Sequence, residues 1–179
     1  YCAAQIAKKL GKEKNYQRYA QRSRQWVHLW DSSLTSDGVR GFISSRKPDG
    51  SFVELDPKKN FGSWKNYFYE GSSWTYSFFA PHQPNKLIEL CGGKARFVDR
   101  LNHGMEQGLV EYSNEPAFLA AHLFHYAGRP DLTSYWIREL MNNEFTLKGY
   151  PGNEDSGAMG SWYVFSAMGF FPNAGQDIY

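Results

Sequence analysis

The stretch SGAMGSWYVFSAMGFFP, residues 156–172, decides how this end of the chain folds. It predicts a helix over 156–168. The helix is expected to end there because Gly169 and Pro172, which follow, are residue types that end helices. The same kind of pattern recurs towards the N-terminus, with short turns between the helices. Helices are predicted over 1–10, 12–30, 72–79, 84–90, 94–105, 115–127 and 132–142.

This succession of helices predicts an all-α fold built of helical hairpins. The region 31–66 differs, since Asp37-Gly38 and Pro48-Asp49-Gly50 interrupt short apolar runs. It is predicted to be a long ordered loop or a small hairpin. Long loops on a helical scaffold are where binding groups usually lie.

The composition excludes several protein classes. With 41% hydrophobic residues among 179, and 17% aromatic, the chain has enough apolar material for one core and is not a disordered or collagen-like sequence. Its 2 cysteines are far apart and give no disulfide framework. No segment approaches the roughly 20 apolar residues that cross a bilayer, so we expect no membrane span.

The first 30 residues carry a net charge of +6, from seven Lys and Arg residues against Glu13 alone. Tyr16, Tyr19 and Trp26 recur there at helical spacing, with basic residues between them, which is typical of a helix with one buried face. A nucleic-acid-binding module is the alternative interpretation. We expect no nucleic-acid partner, because aromatic residues do not alternate with the basic ones on the exposed face.

Three segments place carboxylates among glycines, amides and aromatic residues near predicted helix starts. They are 69–74, 112–116 and 151–157. Each acid taken singly could be a helix cap stabilised by the helix dipole. Together the three segments indicate the rim of a functional site.

Glu70, between Tyr69 and Trp74, has apolar neighbours that would raise the pKa of its carboxyl and suit a general acid. Glu115 precedes Pro116 and is either a cap or a ligand.

The segment 153–155 presents three oxygen-bearing side chains between glycines, which suits a hard cation or the activation of water. Among the histidines, His82 lies in a predicted loop and is a candidate for the site. The chain has no serine-nucleophile elbow, phosphate loop, dinucleotide fingerprint or zinc helix motif. Paired carboxylates among many aromatic residues favour the cleavage of glycosides.

The segments 69–76 (YEGSSWTY), 113–116 (SNEP) and 152–155 (GNED), with the run 161–172 (SWYVFSAMGFFP), resemble glycoside hydrolase family 92. This is a family of calcium-dependent exo-acting α-mannosidases, including α-1,2-mannosidases. The resemblance implies an (α/α)6-barrel catalytic domain, of which residues 1–179 would be the later part. It also implies that a preceding β-sandwich domain and the earlier barrel helices lie outside this chain, as the missing N-terminal portion of the same polypeptide.

The resemblance assigns roles residue by residue. Glu70 resembles the general acid and Asp155 the general base of an inverting mechanism, while Glu115 resembles a calcium ligand; an exchange of the roles of Glu70 and Glu115 stays open. Asn153 joins the catalytic set beside Asp155, and the sugar-binding positions are Trp74, His82, Asn114 and Glu154. The implied partners are mannose-containing glycans, and the implied location is secreted, periplasmic or on a bacterial cell surface.

The chain departs from the family pattern at two places in the last segment. Asn153 stands where an aspartate is common, and Ala158 where a glutamine is frequent. An amide cannot share proton transfer as a carboxylate can, so the base role falls on Asp155 alone. A catalytically degenerate mannose-binding protein of the same fold is therefore the alternative function.

Overall fold

The computed structural model describes residues 1–59, 67–152, 154–173, 175, 178 and 179. Within them the chain forms a mainly helical structure with one small antiparallel sheet. The α-helices are α1 (Cys2–Lys9), α2 (Glu13–Ser23), α3 (Ser73–Tyr76), α4 (Pro84–Leu90), α5 (Lys94–Glu106), α6 (Pro130–Asn143) and α7 (Ala158–Met168), and the strands are β1 (Trp30–Ser36) and β2 (Val39–Ile43). No helix in this described part is long and apolar enough to cross a membrane.

Most of the predicted helices are confirmed to within a few residues, because glycine and proline punctuate them locally. Two differ from the prediction. The helix predicted over 12–30 ends at Ser23, and a 3-10 helix over Gln25–Leu29 leads into β1. The helix predicted over 115–127 is two 3-10 segments, Glu115–Ala117 and Ala120–His125.

The all-α prediction is wrong in one respect, since β1 and β2 form a hairpin. Asp37 and Gly38 connect the strands with φ angles of 49° and 75°. Two successive left-handed residues of the Asp-Gly type form the tight turn that suits the twist of a hairpin. The interpretation of 31–66 as containing a small hairpin is confirmed for this part, whereas the (α/α)6 barrel stays a prediction.

The hairpin is attached to α5 by a buried arginine. The guanidinium carbon of Arg100 lies 4.2 Å from the ring centroid of Phe42, and Arg100 Nη1 donates a 2.6 Å hydrogen bond to the carbonyl of Gly41. Trp30 packs so closely on Gly41 that a Cβ there would lie 2.8 Å from its indole ring. Arg100, only 3% exposed, thus joins α5 to both strands.

The same guanidinium contacts α3 and the residues just after it. Its carbon lies 5.6 Å from the ring centroid of Trp74 and 5.5 Å from that of Phe78. With Trp30, at 5.1 Å, and Phe42, these rings surround Arg100 on several sides. We call Arg100 and these four rings the arginine cage.

Hydrogen bonds fix α3 to the hairpin next to the cage. Ser73 Oγ donates to the carbonyl of Ile43, and the amide of Ile43 donates to Ser77 Oγ at 2.9 Å. Trp74 Nε1 donates to Ser36 Oγ at 3.0 Å. The start of α3, where the first predicted site segment ends, is therefore held by contacts at both ends of the sheet.

We expect Arg100→Ala to destabilise the full-length protein by about 3–5 kcal/mol, as does truncation of other large buried side chains. It leaves a void among four rings, removes their cation–π contacts and leaves the Gly41 carbonyl without its donor. Denaturant unfolding measures the loss. The control is Arg96→Ala, an exposed arginine on the same helix, for which we expect a change within about 0.5 kcal/mol. Equal effects of the two variants would contradict the structural role of the cage.

Candidate active site

Glu70 lies in a tight turn immediately before α3. Its φ angle is 56°, in the left-handed region that non-glycine residues seldom adopt. Ser72 then caps the helix, because its Oγ accepts a 3.2 Å hydrogen bond from the amide of Thr75. The cap on α3 is thus a serine, and the Glu70 carboxylate is left for other contacts.

Glu70 and Asp155 converge on one phenol. The carboxylate of Glu70, hydrogen-bonded to the Tyr69 phenol, raises the pKa of that phenol, and the charge of Asp155 adds to the shift. Partial burial raises the pKa of Tyr76, and the charge of Glu70 raises it further. Two carboxylates that are distant in sequence therefore lie within electrostatic reach of the same side chain.

The predicted site segments 112–116 and 151–157 are in contact at a glycine. An ideal Cβ on Gly152 would lie 2.0 Å from the carbonyl oxygen of Ser113, so the two backbones are in direct contact. The amide of Glu111 also faces Thr75 Oγ1, at 3.5 Å, which connects this segment to α3. The structure thus brings together the three segments that the sequence singled out.

The turn before α7 is unusually strained. Asp155, Ser156 and Gly157 have φ angles of 42°, 60° and 92°. Residues held in this region cluster at functional sites, where the surrounding structure fixes them. Asn153, predicted to join the catalytic set, lies outside the described residues.

Glu154 has the geometry of a helix cap. Both oxygens of its carboxylate accept from the amide of Gly160, at 3.3 and 3.2 Å. Its carbonyl accepts from the amide of Ala158 at 2.8 Å. The carboxylate is therefore engaged with the first turn of α7, and sugar binding by Glu154 stays a prediction.

Two predicted sugar-binding residues occupy structural positions. Trp74 is fully buried in the arginine cage, where its ring has no surface to offer a sugar. His82 Nε2 donates a 2.7 Å hydrogen bond to the carbonyl of Ser23, and its ring lies 5.5 Å from that of Tyr1. These placements favour packing for Trp74 and attachment of the 81–83 loop to the end of α2 for His82.

Asn114 and Glu115 offer oxygen atoms that suit a hard cation. Asn114 is 3% exposed, and its Oδ1 has no hydrogen-bond partner among the described residues. The half-buried Glu115 follows at the start of a 3-10 helix. Carboxylate and amide oxygens are the donors that calcium prefers, but calcium takes six to eight of them. No group of three or more His, Cys, Asp or Glu side chains in the described part could hold a metal ion, so these two residues fit only part of a calcium site.

One acidic residue of this region was not predicted. Burial raises the pKa of the Glu111 carboxyl, which lies just before the second segment and near α3. A weak sequence signal is its position directly before Tyr112. Its backbone amide faces Thr75 of α3, which is distant along the chain.

A cavity of about 680 Å³ lies elsewhere, between α6 and the C-terminal end of α7. None of the predicted site residues that the structure describes lines it. It contains His122, whose pKa is lowered to about 4 by burial and whose ring stacks on Phe171 with centroids 4.3 Å apart. The carboxylates that converge on Tyr69 therefore belong to a different part of the surface.

Residues 1–179 match the model of the glycosyl hydrolase family 92 catalytic domain. The chain belongs to this family. The resemblance predicted from the three segments and the run before Pro172 is thus confirmed.

The relatives of this family 92 chain include a curated protein of Arthroderma benhamiae, described as an uncharacterised secreted glycosidase. It is 39% identical over 195 residues, covering 100% of this chain and 25% of the relative. Among solved structures, the family 92 α-mannosidase BT3965 of Bacteroides thetaiotaomicron in complex with mannoimidazole is 26% identical. The match has a TM-score of 0.80 and covers 96% of this chain and 25% of that one.

A second solved structure, the family 92 glycosyl hydrolase ccman5, matches with a TM-score of 0.82 at 23% identity, covering 97% of this chain and 28% of that one. At that identity the likeness concerns the fold. The chain thus spans about a quarter of the length of these relatives.

Gly152→Ala tests the contact between the second and third segments. We expect a loss of about 1–3 kcal/mol or more in the free energy of unfolding, because the added methyl group overlaps a backbone carbonyl that cannot rotate away. Thermal unfolding of the full-length protein measures it. For Gly160→Ala we expect a smaller effect, since the nearest atom there is a side-chain oxygen of Glu154 at 3.2 Å. A Gly152→Ala variant as stable as wild type would contradict this packing.

Proposed function

We propose that the full-length protein is a glycoside hydrolase that removes terminal α-linked mannose, with α-1,2-linked mannose as the first linkage to test. The observation that carries the proposal is the packing together of the three carboxylate segments, through Gly152 on Ser113 and the Glu111 amide on Thr75. The charges of Glu70 and Asp155, which both raise the pKa of the Tyr69 phenol, agree with it. Glycoside hydrolysis needs two carboxyl groups on opposite sides of one bond. The family and the similarity to an α-mannosidase structure support mannose as the sugar.

In the proposed mechanism Glu70 is the general acid and Asp155 the general base. Glu70 donates its proton to the glycosidic oxygen as the bond to the anomeric carbon breaks. Asp155 removes a proton from the water that attacks that carbon from the opposite face, which inverts its configuration. An inverting pair needs about 6.5–9.5 Å between its carboxyl groups to admit this water. The base role falls on Asp155, because the neighbouring Asn153 carries an amide.

We propose calcium as the cofactor, with Glu115 and Asn114 Oδ1 as ligands from this chain. When bound, it would hold the hydroxyl groups of the terminal mannose and orient the sugar ring. The remaining ligands would come from outside these two residues. The amide oxygen of Asn114 supports this assignment, because it is buried and has no hydrogen-bond partner among the described residues. Burying a polar oxygen costs free energy unless a hydrogen-bond donor or a cation binds it.

We also propose that this chain is the later part of an (α/α)6-barrel catalytic domain, and that the rest of the polypeptide completes the sugar pocket. The chain spans only about a quarter of the length of its relatives, which supports the proposal that it is one part of a larger catalytic domain. Secretion is proposed from the curated relative described as secreted, and mannose-containing glycans are the proposed partners.

The first test is mannose release from α-linked mannobioses by the full-length protein. We expect release in the presence of calcium and its loss after chelation, with recovery when calcium but not magnesium is returned, because magnesium demands a tighter octahedral site. Release that survives chelation would contradict the calcium proposal. Saturable binding of mannose without release would instead favour a degenerate mannose-binding protein and make Asn153 the first residue to examine.

Glu70→Gln and Glu115→Gln distinguish the two possible acids. We expect Glu70→Gln to lower kcat/KM for mannobiose by about 10²–10⁴-fold, and to lower it far less for an aryl mannoside whose leaving group needs no proton. Asp155→Asn should lower both, because water attack is needed with either substrate. If Glu115→Gln shows the dependence on leaving group and Glu70→Gln does not, the two roles are exchanged.

A further inference from the structure

Tyr76 contacts the Glu70 turn on both sides of that residue. Its ring lies 5.4 Å from the ring of Phe68, centroid to centroid, at an angle of 31°. Its hydroxyl donates a hydrogen bond to the carbonyl of Tyr69. On the other side of Glu70, an ideal Cβ on Gly71 would lie 3.0 Å from Tyr76 Cε2, so the glycine packs directly on the ring.

These contacts explain how Glu70 is held in a strained conformation. A glutamate at φ 56° persists only where its surroundings fix the backbone, since the left-handed region is unfavourable for residues other than glycine. Tyr76 supplies that restraint at Phe68, Tyr69 and Gly71, so the turn is fixed immediately before and after Glu70.

Tyr76 itself belongs to a rigid part of the molecule. It is the last residue of α3, and its amide donates to the carbonyl of Ser72 at 2.9 Å. The same short helix carries Trp74 into the arginine cage and is hydrogen-bonded to β2 through Ser73. The turn that packs on Tyr76 is therefore held in a fixed position relative to the core.

We propose that Tyr76 is a positioning residue for Glu70: it fixes the turn around Glu70, and thereby the place from which the carboxyl group reaches the leaving oxygen. This inference rests on the proposed function of Glu70 as the acid. It goes beyond it by naming a side chain that acts on the substrate only through Glu70. Misplacement of a catalytic group by a fraction of an ångström slows the proton transfer step without abolishing binding.

The test uses Tyr76→Phe in the full-length protein, since it removes one hydroxyl and keeps the ring. We expect it to lower kcat for mannobiose about tenfold with little change in KM, and to leave kcat for the activated aryl mannoside within about threefold of wild type. The matched control is Tyr135→Phe, an exposed tyrosine of α6, which should leave both substrates unchanged. A merely structural role would lower the rates for both substrates together.

Amide hydrogen exchange of the 68–71 turn gives a readout that is independent of turnover. We expect faster exchange there in Tyr76→Phe, and no change at the turn in Tyr135→Phe. Unchanged exchange together with an unchanged ratio of the two rates would overturn the proposal.

Glu70→Gln, measured beside these variants, separates failure of the positioning proposal from failure of the proposed function. If Glu70→Gln shows the dependence on leaving group and Tyr76→Phe does not, only the positioning proposal fails. If Glu70→Gln lowers both rates equally, the acid role fails, and the positioning proposal fails with it.

Discussion

The buried guanidinium of Arg100 is the contact on which the described part of this structure depends. Burial lowers the pKa of Arg100, which shows the cost of removing the cation from water. Four aromatic rings and the Gly41 carbonyl offset that cost, in place of the carboxylate that usually pairs with a buried arginine. The rings come from the hairpin and from the region of α3, so one side chain of α5 contacts both.

The candidate site is built outward from that cage. Trp74 enters it from α3, and the turn that carries Glu70 packs on Tyr76 at the end of the same helix. On the opposite side, Glu154 caps α7, and its successor Asp155 is left in a left-handed turn within reach of the Tyr69 phenol. In both turns a capping residue satisfies the helix start, which leaves a neighbouring carboxylate for chemistry.

Helix positions and the three site segments could be predicted from the sequence, because the signals are local. Glycine and proline mark helix ends wherever they occur, and α4 was found with its bounds intact for that reason. For residues 31–66 the sequence predicts the hairpin only as an alternative to a long ordered loop, although Asp37-Gly38 is the dipeptide that favours its turn. Its strands are too short and too irregular, with a register shift between Asp31 and Thr35, to give a clear alternating pattern.

The sequence by itself determined the family, the order of the helices and the candidate carboxylates of the site, since these depend on motifs of a few consecutive residues. The tertiary structure decided which side chains face which. It placed Trp74 in the core and made Glu154 a cap, although both lie in motifs that suggest sugar binding. It also brought Asp155 within electrostatic reach of Tyr69. The physical reason is that burial and electrostatic contact depend on residues distant along the chain, and no local pattern specifies their distance in space.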